Sequence, residues 1–519
     1  MEDNVMTLLK KGEKGLKSII FSRMIIIIIL FIINLLILLS IFGWFSNFIP
    51  HIFGTTVVFT VIMIIYLINS NMNSSAKITW LILILVMPVF GSLFYFYSLS
   101  EVGHRTIKKR LSYILKATDD KLTKDIKTLN SLKEMDPNAA SLAHYVNTTG
   151  CFPLYSHTNV TYFPLGEKKL EVLLEKLKEA KEFIFLEYFI IEEGQMWGKI
   201  LNILSSKAKE GVEVRVMYDG TCELSTLPHN YPEKLEKLGI KCKVFAPLTP
   251  FVSTYYNYRD HRKILIIDNK YAFNGGVNLA DEYINVKEKH GHWKDTAIML
   301  EGEAVNSFTL MFLQMWNIDE KDMIYDKYLA KTYRYDARGF IMPYGDYPLD
   351  SEKVGQNVYI DILNSANDYV YIMSPYLILD DEMENALKFA SRRGIDVRII
   401  LPGIPDKIVP YSLAKTHYKA LMDAGVQIYE YTPGFVHAKI FLSDNIKAVV
   451  GTINLDYRSL YHHFECATFM YDTECIKDII SDFHLTFKKC HKVTYDDIKK
   501  EKLSIKIMGR LLKAVAPLM

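Results

Sequence analysis

A pattern that occurs twice, 176 residues apart, constrains this 519-residue chain most: His-x-Lys-x4-Asp at His261, Lys263 and Asp268, and again at His437, Lys439 and Asp444. One copy is weak evidence, because three fixed residues in eight positions arise by chance. Here both copies stand between an apolar run and a Gly/Asn-rich turn, HRKILIID before NGGVN and HAKIFLSD before VVGTIN. Each reads as a short strand, Ile264–Ile267 or Ile440–Leu442, with the Lys at its start and the Asp at its end. Such a chain is expected to form two similar lobes whose His/Lys sets meet across a pseudo-twofold axis at one phosphate.

The flanking sequence repeats in the same order. A helix (Leu170–Ala180; Gln356–Ala366) leads into a strand, FIFLEYFI at 183–190 or YVYIMSPYLI at 369–378. Another helix follows (Gly198–Glu210; Met383–Arg393), then GVEVRVMYDG at 211–220 or GIDVRIILPG at 394–403. A third helix and strand (Glu233–Phe245; Ser412–Tyr431) precede each motif. Strands alternating with helices of this length predict βαβ units, so the fold class expected is α/β, with two pseudo-symmetric lobes of mixed sheet flanked by helices. A shared site would form at the ends of their central strands.

Apolar sequence is concentrated near the N-terminus. Met24–Phe45 carries no charge over 22 residues, enough to cross about 30 Å of hydrocarbon. It is too long for the apolar part of a cleaved leader, and no small-residue cleavage site follows it. Ile52–Ile68 is shorter, and Ile78–Phe96 contains Pro88 and Gly91. Lysines and arginines precede the first segment and follow the third, which favours both flanks on the cytoplasmic side and an even number of crossings. Either one of the three segments is then re-entrant or interfacial, the Pro88/Gly91 segment being a candidate, or this chain breaks the rule. The expected organisation is a membrane region at 1–100, a helical linker at 101–140 (charged over Gly103–Lys133), lobes at 141–335 and 336–498, and a tail at 499–519. That tail holds six Lys/Arg against one Glu, with Leu503, Ile507, Leu511, Leu512 and Val515 at helical spacing, which suits either an anionic bilayer surface or a helix packed on the lobes with a solvated basic face. Tyr255, Tyr256 and Tyr258 before the first motif would suit either the headgroup level or ordinary packing. A net charge of only +2 and the anchor argue against nucleic acid as partner. The six cysteines show neither a disulfide framework nor metal-ligand spacing.

The residue types fit phosphodiester chemistry. Anionic oxygens repel nucleophiles, so a catalyst must neutralise charge, attack phosphorus and protonate the leaving alkoxide. Lys263 and Lys439 supply point charges, and Asn278 and Asn454 could add neutral donors. One imidazole can attack while the other, protonated, gives its proton away. A phosphohistidine conserves the ester's energy, so transfer to an alcohol needs no ATP. No cofactor is expected, and no metal, since no His/Cys or carboxylate set stands at ligand spacing. Asp268 and Asp444 either orient a partner histidine or serve as turn residues.

These motifs resemble the phospholipase D superfamily, marked by the duplicated His-x-Lys-x4-Asp. Nearer still is the similarity to the bacterial cardiolipin synthases, carried by KITWLILILVMPVFGSLFYF (77–96), LEYFI (186–190), YRDHRKILIIDNKYAFNGGVNLADEY (258–283), HWKDT (292–296), MSPYLILDDEM (373–383), PGFVHAKIFLSD (433–444) and VGTINLDYRSLYHHFE (450–465). One departure is Tyr457, where proline is frequent. The resemblance implies a multi-pass protein of the bacterial cell membrane, compatible with a homo-oligomer, that moves a phosphatidyl group between two phosphatidylglycerols to give cardiolipin and glycerol. It implies His261 as nucleophile and His437 as acid, with Glu187, Glu282 and Glu465 either orienting His or Lys groups or making core salt bridges. Rival readings are a phospholipase D-type hydrolase and a phosphatidylserine synthase-like transferase. A closed, apolar acceptor site would set the transferase apart from the hydrolase.

Overall fold

The computed structural model describes residues 52–99, 104–247, 258–350 and 352–518. The expected Met24–Phe45 span and Tyr255 and Tyr256 lie outside these residues. Helix α1 (Ile52–Ile68) coincides with the second apolar segment. The third apolar segment is two helices: α2 (Ser74–Val86) ends at Met87, and α3 (Pro88–Leu99) starts anew. Pro88 has no N–H to continue the ladder and forces the residue before it into an extended conformation. Gly91 lies so close to α2 that a Cβ there would meet the Leu83 carbonyl oxygen at 2.7 Å. Met63, Leu67, Trp80, Ile84 and Tyr95 form a small core among the three helices. Outside it Val58, Val61, Ile62, Ile65, Ile82, Leu85, Val86 and Leu93 are exposed. No helix among the described residues is long and apolar enough to cross a membrane.

The first sheet comprises β1 (Thr158–Phe163), β2 (Phe183–Tyr188), β3 (Glu213–Asp219), β4 (Lys241–Phe245), β6 (Lys263–Ile267), β7 (Tyr271–Gly275) and β9 (Ala297–Gly302), in the order β1-β9-β7-β6-β2-β3-β4. β2, β3 and β4 run parallel, as the βαβ pattern predicts, whereas β6 lies antiparallel to β2. The sheet is therefore mixed. Period-2 alternation sorts its side chains: Ile264 and Ile266 enter the core shared with the second lobe, while Leu265 and Ile267 face the helices Gly166–Glu179 and Gln195–Lys209. Helix α4 (Val305–Trp316) is buried along its whole length and packs on both lobes, which its continuous apolar sequence allows.

The second sheet repeats the plan. It is built from β10 (Phe340–Asp346), β11 (Tyr369–Met373), β12 (Asp396–Pro402), β13 (Gln427–Tyr431), β15 (Ile440–Ser443), β16 (Lys447–Gly451), β17 (His463–Tyr471) and β18 (Cys490–Lys492). Again the motif strand, β15, is antiparallel to the first strand of a parallel set, β11. Three short strands fasten the lobes together. β5 (Arg259–Asp260) leaves the first lobe to pair with β17 of the second, and β8 (His292–Lys294) pairs with β14 (Gly434–Val436). The exchange is reciprocal, and each motif histidine directly follows one of the exchanged strands.

Candidate active site

The antiparallel pairing of β6 on β2 sets Lys263 opposite Tyr188, at the C-terminal edge of the parallel strands. The exchanged strands fix the histidine backbones. His261 N–H donates to the Phe464 carbonyl at 2.9 Å, and His437 N–H donates to the Lys294 carbonyl at 2.7 Å. The residue after each acceptor carries a carboxylate, so each imidazole meets an acid from the opposite lobe. His261 Nδ1 lies 2.8 Å from Glu465 Oε1, and His437 Nδ1 lies 2.7 Å from Asp295 Oδ2. Both acids are fully buried. With Nδ1 of each ring against a carboxylate, and His437 Nδ1 also 2.8 Å from Lys439 Nζ, Nε2 of each ring is left for chemistry.

Burial raises the Glu465 carboxyl, but the His261 charge and hydrogen bonds from His261 and His463 reverse this and hold it below the usual range. Asp295 is lowered in the same way: burial opposes, and the charges of His437 and Lys439 prevail. Burial pushes His261 well below its ordinary value. Burial and then the Lys439 charge bring His437 to about 4. Burial also lowers Lys263 to about 8 and Lys439 to about 7. The two sets feel each other: the Lys263 charge depresses both His437 and Lys439, and Asp295 supports Lys263. Each ammonium donates to the carbonyl of its own motif histidine. Phe189 stands edge-on to His261 at 4.9 Å, and Tyr283, Trp293 and Phe435 surround His437 at 5.3, 5.5 and 6.0 Å. Among the described residues, the two imidazoles are thus walled by aromatic rings.

Other expected site residues lie elsewhere. Asp268 and Asp444 are not beside the imidazoles, which corrects their placement in the catalytic set: five strand residues, roughly 17 Å, separate each from its lysine. Asp268 accepts from the backbone N–H groups of Lys181, Glu182 and Phe183 at 2.7–2.8 Å, and Asp444 from those of Asn367, Asp368 and Tyr369 at 2.9–3.0 Å. Each also opens an Asp-Asn pair with φ between 52° and 58°, the backbone of a tight hairpin turn. Asp268→Ala should therefore cost about 2–4 kcal/mol of stability, read by thermal unfolding, and leave turnover per folded enzyme within about twofold.

Glu187 does not reach a motif His or Lys. It is buried against Arg262 at 3.7 Å, and burial followed by the Asp260 charge raises its carboxyl well above normal. It belongs to a core ion cluster, as the salt-bridge alternative allowed; its link to the site is Arg262, which also donates to the Glu465 carbonyl at 3.2 Å. Glu282 likewise pairs with Lys289 at 2.6 Å, away from the motifs. Asn278 accepts from Ile190 N–H and donates to Tyr283 Oη at 2.8 Å, steadying the ring beside His437, with one amide hydrogen still free to donate. Asn454 Nδ2 donates to Asp456 at 3.2 Å.

Sequence reasoning missed two residues. Asp295 lies in the quoted HWKDT, and a second duplicated pattern would have revealed it: His-x-x-acid occurs at His292–Asp295 and at His462–Glu465. His463, its ring 5.2 Å from that of His261, was also missed. With His261 and Glu465 it forms a group with metal-ligand spacing. The expectation of no set at ligand spacing was read along the sequence; the fold brings these three side chains together.

Similarity to known proteins follows the same residues. The family described as cardiolipin synthase, PLD-like domain, matches residues 173–316 and 359–486, and a phospholipase D-nuclease N-terminal family matches 58–97. A cardiolipin synthase of Geobacillus sp. (strain WCH70) is 32% identical over 473 residues, 89% of this chain and 92% of that protein. One of Alkalihalophilus pseudofirmus is 31% identical over 486 residues, 92% and 95% of the two chains. An uncharacterized Streptococcus mutans protein is 60% identical over 457 residues, 88% of this chain and 99% of its own. In fold, the chain is similar to the phosphatidylserine synthase of Haemophilus influenzae, with a TM-score of 0.56 at 13% identity over 73% of this chain and 97% of that one. Paired motifs, reciprocal lobes and relatives matched along nearly their whole length lead to one assignment: this chain belongs to the cardiolipin synthases of the phospholipase D superfamily.

Proposed function

We propose that the enzyme transfers a phosphatidyl group from one phosphatidylglycerol to another, forming cardiolipin and glycerol through a phosphohistidine. The observation that carries this reading is the cross-lobe carboxylate on Nδ1 of each motif histidine, which leaves two Nε2 atoms for complementary tasks. His261 Nε2 attacks phosphorus while His437 protonates the departing glycerol oxygen. Lys263 and Lys439 neutralise the nonbridging oxygens, assisted by Asn278 and Asn454. In the second half, His437 takes the proton of an incoming glycerol hydroxyl, whose oxygen displaces His261. The aromatic wall supports an alcohol acceptor over water, because it disfavours a solvated nucleophile.

The same reading places the enzyme on the membrane as a multi-pass protein. The large apolar side chains that α1–α3 expose side by side support this, because such patches mark a membrane or partner contact. Helix α5 (Leu503–Lys513) exposes Leu503, Ile507 and Leu511 in an i, i+4 row, and Thr79 Oγ1 of α2 donates to the Ala514 carbonyl at 2.7 Å. The hairpin and the basic tail thus meet at one lipid-facing side. Asn73 Nδ2, donating to Tyr461 Oη at 2.8 Å, ties that side to the lobe that supplies Glu465.

Purified enzyme given phosphatidylglycerol alone should yield cardiolipin and glycerol in equal amounts; accumulation of phosphatidic acid instead would mean a hydrolase. The assay should also show a characteristic pH dependence. A bound diester anion raises His437, Lys263 and Lys439 above their free values of about 4, 8 and 7, so binding takes up protons. Apparent affinity is then highest at low pH and weakens as pH climbs through the free lysine values, by up to about tenfold per unit for each group. His261, lowered well below its ordinary value, contributes no compensating rise. An increase of kcat/KM between about pH 6 and 9 would contradict this sign.

A further inference from the structure

His463 has no task in this scheme. Its side chain is 8% exposed, and neither ring nitrogen makes a close hydrogen bond; the Glu465 carboxylate, 3.6 Å from Nδ1, is its neighbour. A buried imidazole so loosely held is costly, and such groups call for an explanation. Its position is also asymmetric. The exchanged strands pair Phe464 with Asp260 and Lys294 with Val436, which makes Trp293 the counterpart of His463. Trp293 stands 5.5 Å from His437 much as His463 stands 5.2 Å from His261, but an indole cannot ligate a metal. The half that carries the nucleophile therefore has an imidazole at the position where the half that carries the acid has an indole.

Glu465 Oε1 lies 2.8 Å from His261 Nδ1 and 3.6 Å from His463 Nδ1. These values bracket the ligand–ligand edge of a tetrahedral zinc site, about 3.3 Å for bonds near 2.0–2.1 Å. One donor atom from each of the three residues lies within 4.8 Å of the others. The donor types fit too: two imidazoles and one carboxylate.

We propose that His261, His463 and Glu465 form an inhibitory site for a divalent transition cation of the Zn²⁺ type, with water in the fourth position. The cation takes the Nδ1 lone pair of His261. The proton that Nδ1 had shared with Glu465 moves to Nε2, so no proton is lost. The nitrogen that attacks phosphorus is then an N–H without a lone pair, and transfer stops while the fold stays intact. Binding rests on the geometry alone, whereas inhibition also rests on His261 as the nucleophile.

The test uses full-length enzyme in lipid nanodiscs, first stripped with a chelator. Co²⁺ should bind with one-to-one stoichiometry and give the visible absorption of a four-coordinate site, and His463→Ala should lose that spectrum. Micromolar Zn²⁺ should reduce cardiolipin synthesis at least tenfold, reversibly on chelation. Measured against each variant's own zinc-free rate, His463→Ala and His463→Asn should raise the inhibitory concentration by about 10–100-fold or more. Absence of the Co²⁺ spectrum in the wild type overturns the site, and equal zinc sensitivity of wild type and both variants overturns it independently. A Co²⁺ spectrum without inhibition overturns the inhibitory step; the His261→Ala turnover then decides separately whether the nucleophile assignment has failed.

Discussion

Replacing His261 with alanine should lower cardiolipin formation by at least about 10⁴-fold, and His437→Ala should do the same on phosphatidylglycerol. The two losses have different origins and can be separated. Without His261 no phosphorus–nitrogen bond forms, whatever the leaving group. Without His437 attack still occurs, but a glycerol alkoxide has nothing to protonate it. A phosphatidyl ester of p-nitrophenol removes that demand, because nitrophenolate departs unprotonated. His437→Ala should therefore release about one equivalent of nitrophenolate per enzyme and then stall as the phosphoenzyme, since the acceptor alcohol has lost its base. His261→Ala should give no burst. Retained synthesis in either variant on the natural lipid would end the two-histidine scheme, and a burst from His261→Ala alone would exchange the roles. Both side chains are buried at the lobe junction, so each variant needs a thermal unfolding measurement beside the wild type.

The lobes were legible because their signals are long and repeated. β2, β3, β11 and β12 are apolar runs bounded by helices, and the hairpin after each motif ends in a Gly-rich turn. The exchanged strands were not legible. β5 has two residues, and β8 and β14 have three each, too short for any periodicity to register. Yet these strands place Glu465 and Asp295, so the carboxylate of each site half is specified some 140–200 residues from the histidine it orients. The motif aspartates misled for the opposite reason. Three fixed residues in eight positions suggest one site, but a strand carries its two ends far apart, and the Asp-Asn dipeptide already pointed to a turn with positive φ. The break at Pro88 was visible beforehand, since proline interrupts a helix whatever its surroundings.

Glu465→Gln and Asp295→Asn should each cost about 10³–10⁴ in turnover while changing the unfolding temperature far less than a cavity would. An amide keeps the volume of the acid but can present N–H where the carboxylate accepted. In Glu465→Gln, the side-chain N–H donates to His261 Nδ1, which must then be the unprotonated nitrogen, and Nε2 carries the proton. The nucleophile is lost by tautomer, not by displacement, so even the nitrophenyl ester should give no burst. In Asp295→Asn the same flip leaves His437 with a fixed Nε2–H. It can no longer accept the proton of the incoming alcohol, so this variant should form the phosphoenzyme from the nitrophenyl ester and fail to resolve it. Because each acid acts through one histidine, the pairs should be strongly non-additive: Glu465→Gln should add almost nothing to His261→Ala, and Asp295→Asn almost nothing to His437→Ala. The crossed pairs act through different histidines and supply the control. Additive losses within the Glu465–His261 pair, or a loss below about tenfold in either single variant, would mean that the cross-lobe carboxylates hold the lobes together without directing the proton on the imidazoles.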